Sequence, residues 1–167
     1  LSGTEPAYRI GIWRVMAQAA TDSGKRHNWY HKIVDAFSDT DGKDRTHAAE
    51  TIAKLKIHAV CQYPSLIHDA IAGKDKILSL YSLWAGSLCD ADLTNSIRDS
   101  LLNLLASDGN DTVRKAVAAY MLRRMANLSN IQWKKLTKMA LSEPVSSPAA
   151  AYMLSAAIVA ASPEEEQ

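Results

Sequence analysis

The sequence predicts an all-α protein built from a row of packed helical hairpins. The phrase VAAYML, which starts at Val117, returns almost unchanged as AAAYML 32 positions later, starting at Ala149. A recurrence at this distance is typical of repeat architectures. The 167 residues include only seven glycines and five prolines, and 47% of them are apolar. This composition supports a sizeable core in one domain, and a single phenylalanine with few β-branched runs favours helix over strand.

Five helices are predicted in the first half of the chain, where apolar residues recur at helical spacing. The predicted ranges are 5–20, 28–37, 44–56, 66–71 and 75–88. The apolar positions that define them include Ile10, Trp13 and Ala17 in the first, Trp29, Ile33 and Phe37 in the second, Ala48, Ala49 and Ile52 in the third, and Leu80, Leu83 and Trp84 in the fifth. Pro6 fits a first helical turn, and Pro64 opens the fourth helix. Polar breaks are expected at 22–26 and 38–42.

Four more helices are predicted in the second half, at 93–106, 112–125, 130–141 and 148–161. The first of these carries Ile97, Leu101, Leu104 and Leu105 at helical spacing. Residues 107–110 form a strong turn signal, and Asp111 is expected to cap the helix that follows. Nine helices with short links predict an all-α array.

A second pattern recurs at the start of every other predicted helix. An early basic residue, preceded by a polar cap, is followed by apolar positions three, four and seven residues later. The early residues are Arg9, Arg45, Lys76 and Arg114, with Ser146 in the basic position of the last helix, and they are spaced by 31 to 38 residues. The helix that begins near Lys76 fits the pattern least well.

This pattern resembles the second helix of HEAT repeats, which typically begins with an acidic residue or Asn, Pro, an apolar residue and Arg before alanine-rich core positions. The resemblance covers nearly the whole chain. It implies an all-α fold of the α-α superhelix (solenoid) type, right-handed, with about four to five HEAT-like helical hairpins in a single domain, residues 1–167. Armadillo and other α-solenoid families remain alternatives.

The two ends of the chain carry further expectations. The first predicted helix reads as a second helix without a first-helix partner, and residues 149–161 contain no charged side chain. A terminal repeat normally has a polar outer face. We therefore expect the chain to be a segment of a longer protein, or residues 149–161 to dock on a partner or a second copy in a homo-oligomer. Residues 162–167 are expected to form a frayed acidic tail.

The resemblance implies a non-catalytic scaffold that binds a protein partner along a concave face lined by second helices. The expected partner-binding residues are the non-core positions of those helices: Arg9, Arg14, Arg45, Glu50, Lys54, Lys115 and Arg123. The sequence contains no glycine-rich phosphate loop, no nucleophile elbow and no evident Ser/His/Asp set. This absence does not disprove catalysis, but it favours a protein without catalytic residues or a cofactor.

Two other functions remain open. Between Asp111 and Leu141 seven basic residues face one acidic residue, in a chain whose net charge is +1. This basic patch is formed by Arg114, Lys115, Arg123, Arg124, Lys134, Lys135 and Lys138. Such a surface suits an acidic partner or a phosphate backbone, so nucleic-acid binding or DNA-base excision by an α-solenoid is one alternative. A structural docking module of a larger enzyme, acting through the apolar last helix, is the other.

Several residues with chemical potential are expected to be structural. The acidic run 39–44 lacks the closing ligand of a calcium loop and predicts a turn in which Asp44 caps a helix. His31, His47, His58 and His68 are expected to be surface or boundary residues, and no metal site is predicted. Trp13, Trp84 and Trp133 lie on apolar faces and are expected in the core, whereas Trp29 is the tryptophan most expected to be exposed.

The two cysteines and the hydropathy exclude other classes of site. Cys61 and Cys89 form neither a CxxC pair nor a Cys/His metal spacing, and they are expected to be reduced, half-buried thiols. No run of about 18 apolar residues occurs, so no membrane span is expected.

Overall fold

The computed structural model describes residues 5–90, 93–107, 111–125 and 127–161. These residues form nine α-helices and one short 3-10 helix, and none of them lies in a strand. The α-helices are α1 (Pro6–Ala19), α2 (Ser23–Ser38), α3 (Arg45–Leu55), α4 (Pro64–Ala72), α5 (Lys76–Gly86), α6 (Leu93–Ala106), α7 (Thr112–Met125), α8 (Asn130–Ser142) and α9 (Pro148–Ala161). The 3-10 helix, His58–Gln62, precedes α4 and was not predicted. The all-α prediction is confirmed.

Most helix boundaries agree with the sequence patterns, but α2 begins five residues before its predicted start. Its N-cap is Asp22, whose carboxylate accepts a hydrogen bond from the Lys25 backbone N–H at 2.7 Å. An aspartate in this position satisfies an unpaired donor of the first turn and stabilises the helix start. The break predicted at 22–26 is therefore wrong, because Asp22 initiates a helix there.

Local capping accounts for the starts of α7 and α8. Asp111 accepts the backbone N–H of Arg114 at 2.9 Å, which confirms its predicted role as a cap. Ser129 and Gln132 form a reciprocal capping box at the start of α8. The turn predicted at 107–110 falls mainly on residues outside the described ranges, and so does the tail predicted at 162–167.

The chain divides into two compact units, Leu1–Ala91 and Asp92–Gln167. In the first unit, α1 packs on α2 and α3, α3 packs on α2 and α5, and α4 packs on α5. In the second unit, α7 packs on α6 and α9, and α8 packs on α6 and α9. Each unit therefore contains pairs of consecutive helices that pack together, and alternate helices that pack on one another.

The repeated phrase lies in the packing between α7 and α9. Ala118 and Met121 of α7 are buried, as are their counterparts Ala150 and Met153 of α9. The rings of Tyr120 and Tyr152 meet edge to face, with centroids 5.8 Å apart. The alanines allow a close approach of the two helices, so the repetition reflects core packing and not a catalytic motif.

Two helical glycines are expected to respond oppositely to replacement by alanine. A Cβ on Gly11 in α1 would have nothing within 4 Å, whereas one on Gly86 in α5 would lie 3.1 Å from Cγ2 of the buried Ile67. Gly11→Ala should therefore raise the free energy of unfolding by about 0.5–1 kcal/mol. In Gly86→Ala, the crowding of the new Cβ against Ile67, between α4 and α5, should cancel this gain. Urea unfolding of both variants measures the difference, and an equal gain in both would contradict it.

Candidate functional site

The side of α1 that faces away from its helical neighbours is apolar and exposed. Ile10 and Ala17 form the buried side of this helix, which packs on α2 and α3. The opposite side carries Tyr8, Ile12, Val15 and Met16, with 71%, 40%, 58% and 44% of each residue exposed. We call these four residues the α1 ridge. Their intervals of four, three and one positions place them on a single helix face. A contiguous exposed apolar stripe of this kind is a mark of an interaction surface.

A groove runs along the α1 ridge. Its volume is about 520 Å³, and its described lining consists of the four ridge residues with Gly11 and Arg14. Gly11 leaves a notch in the ridge, since a Cβ there would meet no other atom within 4 Å. The Arg14 side chain makes no hydrogen bond or ion pair to any residue that the structure describes. The described lining of the groove therefore combines apolar side chains, a notch and one positive charge.

Arg9, on the same helix, makes its side-chain contacts inside the first unit. Its guanidinium pairs with the buried carboxylate of Asp44 and lies 5.9 Å from the centroid of the Trp13 ring. Asp44 occupies the N-cap position of α3, but its side chain makes no capping hydrogen bond. Asp44 therefore occupies the predicted N-cap position, but its carboxylate pairs with Arg9 and joins α3 to α1 instead of accepting a hydrogen bond from the first turn.

The other partner-binding residues predicted on α3 also make internal contacts. Arg45 donates its Nε–H to the Phe37 carbonyl oxygen at 3.0 Å, and its guanidinium lies 5.4 Å from the Phe37 ring centroid. Lys54 Nζ and Glu50 Oε1 are 2.6 Å apart. In the second unit, Lys115 is half-buried and Arg123 is exposed. A role for these residues in binding a partner stays a prediction.

Trp13 and Trp133 are less deeply buried than predicted, whereas Trp29 is less exposed than predicted. Trp84 lies in the core, but Trp13 and Trp133 are half-buried, as is Trp29. The Trp133 indole N–H donates to the Ala157 carbonyl oxygen at 2.9 Å, which joins α8 to α9. Lys32 Nζ lies 5.9 Å from the ring centroids of both Trp13 and Trp29. These indoles thus combine packing with polar contacts at the edge of the core.

Exposure separates the predicted basic patch into two groups. Arg114 and Lys115 are half-buried, and Lys135 donates to Asn103 Oδ1 at 2.8 Å. Among the exposed cations of the patch, those whose side chains make no hydrogen bond or ion pair to a described residue are Arg123, Arg124, Lys134 and Lys138. Arg123 and Arg124 stand in the last turn of α7, where positive charge also interacts favourably with the helix dipole.

Arg98 is a structural residue that the sequence patterns did not identify. It is buried in the second unit and donates to the Met125 carbonyl oxygen at 3.1 Å. Burial lowers the pKa of the Arg98 guanidinium below its ordinary value. The contact joins α6 to the C-terminal end of α7, which carries the two exposed arginines.

The last helix buries one side and exposes the other. Ala149, Ala150, Met153, Ala156 and Ala157 form its buried side. Its exposed side includes Leu154 and Ile158, and the latter is 67% exposed. Docking or self-association through residues 149–161 stays a prediction.

The two cysteines form a disulfide, so the expectation of reduced thiols is wrong. Cys61 of the 3-10 helix and Cys89, which follows α5, lie 28 positions apart in sequence, with their Cα atoms 5.4 Å apart. The packing of α4 on α5 returns the chain to the 3-10 helix and brings the two thiols together. Disulfides persist in oxidising surroundings and are reduced elsewhere. The stability of this unit therefore depends on redox conditions.

A pair of histidines on α2 is a further feature absent from the sequence-based predictions. The Nε2 atoms of His27 and His31 are 2.7 Å apart, and both residues are exposed. The signal was present as two histidines four positions apart. Because the helix was expected to begin at 28, His27 was not placed on the same helix face as His31.

Other classes of site are not found in the part of the chain that the structure describes. No three His, Cys, Asp or Glu side chains there lie close enough to hold a metal ion by themselves. None of the helices formed by these residues is long and apolar enough to cross a membrane. No protein-family model, curated protein or solved structure matches the chain.

Proposed function

We propose that the protein is a non-catalytic scaffold of HEAT-like helical hairpins, arranged as an α-solenoid, that binds a helical segment of a partner protein on the α1 ridge. The observation that carries this proposal is the contiguous exposed stripe of Tyr8, Ile12, Val15 and Met16. Covering that stripe with apolar side chains removes it from water, which is a dominant source of binding free energy in protein association.

The packing within each unit supports a repeat architecture. In the first unit, α3 is packed between α1 and α5 and is also covered by α2. In the second unit, α7 and α9 pack through equivalent residues of the repeated phrase. Helical hairpins that stack through nearest neighbours create the extended surfaces on which α-solenoids bind their partners.

A helix is the partner element that best fits the α1 ridge. The ridge positions follow the spacing by which one helix packs against another, and the notch at Gly11 admits a protruding side chain. Arg14 lines the same groove and suits an acidic residue on the partner. The partner is therefore an amphipathic helix with a large aliphatic side chain for the notch and a carboxylate for Arg14.

A display library of amphipathic helical peptides provides a direct test with defined probes. Peptides selected against the full chain should lose affinity by at least about tenfold on Ile12→Asp, which places a charge in the centre of the ridge. Gly11→Leu, which fills the notch, should have a similar effect. Ile158→Asp on the exposed side of α9 is the matched control and should leave the affinity unchanged. Selected peptides that respond to Ile158→Asp and not to Ile12→Asp would locate the binding surface on α9 and refute the proposal.

Nucleic-acid binding is the second candidate function, and it is favoured by the four exposed cations of α7 and α8 whose side chains make no hydrogen bond or ion pair to a described residue. If it is correct, fluorescence anisotropy should detect binding to duplex or single-stranded DNA that weakens steeply from low to physiological salt. Combining Arg123→Ala, Arg124→Ala and Lys134→Ala should reduce the slope of log affinity against log salt by about 3 for duplex DNA. Combining Lys25→Ala, Lys43→Ala and Lys74→Ala removes the same charge from exposed positions of the first unit and serves as the control. An absence of binding at low salt would eliminate this candidate.

A further inference from the structure

We propose that His27 and His31 form a surface site for a divalent copper ion, with one imidazole nitrogen from each residue as ligands. The two residues lie one turn apart on α2, so their side chains extend over the same part of the helix surface. Their Nε2 atoms are 2.7 Å apart, with ring centroids separated by 4.3 Å and ring planes at 89°. The two nitrogens therefore converge on one point that solvent reaches.

The proton arrangement of the pair is compatible with metal binding. A contact between Nε2 atoms of neutral rings requires one ring to donate its N–H and the other to accept it. If the donating ring instead carries its proton on Nδ1, both Nε2 lone pairs face the shared point. A cation then takes the place of the shared proton, and no net release of protons is needed. Neutral imidazole is a common ligand for transition metals.

The separation of the nitrogens favours one coordination geometry. With a metal–nitrogen distance of about 2.0–2.1 Å, two ligands at 90° lie about 2.9 Å apart, and two tetrahedral ligands lie about 3.4 Å apart. The hydrogen-bonded rings are 2.7 Å apart without a metal, so the 90° arrangement requires the smaller opening of the pair. Square-planar or tetragonal coordination by nitrogen is characteristic of Cu(II) and Ni(II), and Cu(II) binds most tightly in the divalent first-row series. The site is therefore assigned to copper, with water completing the coordination.

The charged neighbours on α2 allow a cation to approach. Arg26 donates to the Ala20 carbonyl oxygen at 2.7 Å, and Lys32 Nζ lies over the rings of Trp13 and Trp29. Asp35 stands one turn beyond His31 and is exposed, so it adds negative charge on the same side of the helix. Lys25 opposes binding from the first turn of α2, and it too is exposed, where water and salt screen its charge.

The test is calorimetric titration of the full chain with copper(II) chloride in a buffer that does not coordinate metals. We expect one copper ion per chain and an electron paramagnetic resonance spectrum with hyperfine splitting from two nitrogens. Loss of a residue that only orients a metal ligand typically weakens metal binding by roughly 10–100-fold. Because His27 and His31 are themselves the ligands, His27→Gln and His31→Gln should each weaken copper binding by more than that. Because both side chains are exposed, circular dichroism should show the same helix content in these variants.

Two controls distinguish a chelating pair from copper bound by any histidine. His68→Gln removes an exposed histidine whose Nδ1 lies 3.9 Å from Asp69, and it should leave copper affinity unchanged. Asn28→His combined with His31→Gln keeps the number of histidines but moves one off the shared helix face, and it should weaken binding as much as His31→Gln alone. Full affinity in His31→Gln, or in the combined variant, would overturn the proposal.

Discussion

Replacing Cys61 and Cys89 by serine is expected to lower the free energy of unfolding of the first unit by about 3–4 kcal/mol. The disulfide closes a loop over a sequence separation of 28 residues, which includes α4 and α5. A closed loop of this length restricts the unfolded chain and so raises the free energy of the unfolded state by about that amount. The loss is a large fraction of the stability of a domain, which is about 5–15 kcal/mol. Urea unfolding with and without dithiothreitol measures it.

Comparison of the two units provides the internal control for this prediction. The second unit contains no cysteine, so dithiothreitol should not affect its unfolding transition directly. The serine variant should unfold at the same urea concentration with or without the reductant. Two reactive thiols in the native, unreduced protein would show that the bond is absent and contradict the prediction.

Replacing Arg9 by alanine is expected to lower the free energy of unfolding by about 2–3 kcal/mol. The carboxylate of Asp44 is only 6% exposed, and Arg9 is its ion-pair partner. Removing one partner of a buried pair leaves the other charge without compensation, which costs about 3–5 kcal/mol in buried settings. The Arg9 side chain is 32% exposed, so water screens the pair and the expected loss lies just below this range. Thermal or urea unfolding of the variant measures the effect.

Arg14→Ala is the matched control, because it removes an arginine from the same helix without breaking an ion pair to a described residue. Its effect on stability should stay within about 0.5 kcal/mol, as is usual for surface substitutions. A double-mutant cycle with Asp44→Ala isolates the pair, since the coupling between the two substitutions reports their interaction. A coupling near zero would show that the contact between α1 and α3 does not depend on this pair.

These two interactions also bear on the proposed function. Arg9 and Arg14 were both predicted as partner-binding residues from their positions on the same helix. In the structure, Arg9 forms an ion pair with Asp44, while Arg14 lines the groove along the α1 ridge. We therefore expect Arg14→Ala to weaken binding of a selected helical peptide with little change in stability, and Arg9→Ala to act mainly through stability.

Sequence patterns alone predicted the helices well because their signals are local. The boundaries of α6, α7 and α9 follow from apolar spacing and from capping or turn residues near their ends. The repeated phrase likewise predicted core packing, since alanine and methionine at helical spacing suit a close interface between helices. The error at α2 had a local cause as well. Asp22 was interpreted as part of a break, although the same residue is a strong helix cap.

The candidate sites depended on contacts between residues that are distant in sequence or on a helix boundary. Cys61 and Cys89 meet because α4 and α5 lead the chain back to the 3-10 helix. No rule of sequence spacing predicts that these two cysteines pair. The pairing of Arg9 with Asp44 spans 35 positions and joins two helices. The histidine pair became evident once α2 was found to include His27. The sequence by itself determined the class of fold and most helices, because caps and periodicity act within a few residues. Only the tertiary structure decided which apolar face of α1 remains exposed and which charged groups are already paired, because burial and pairing depend on the neighbouring helices.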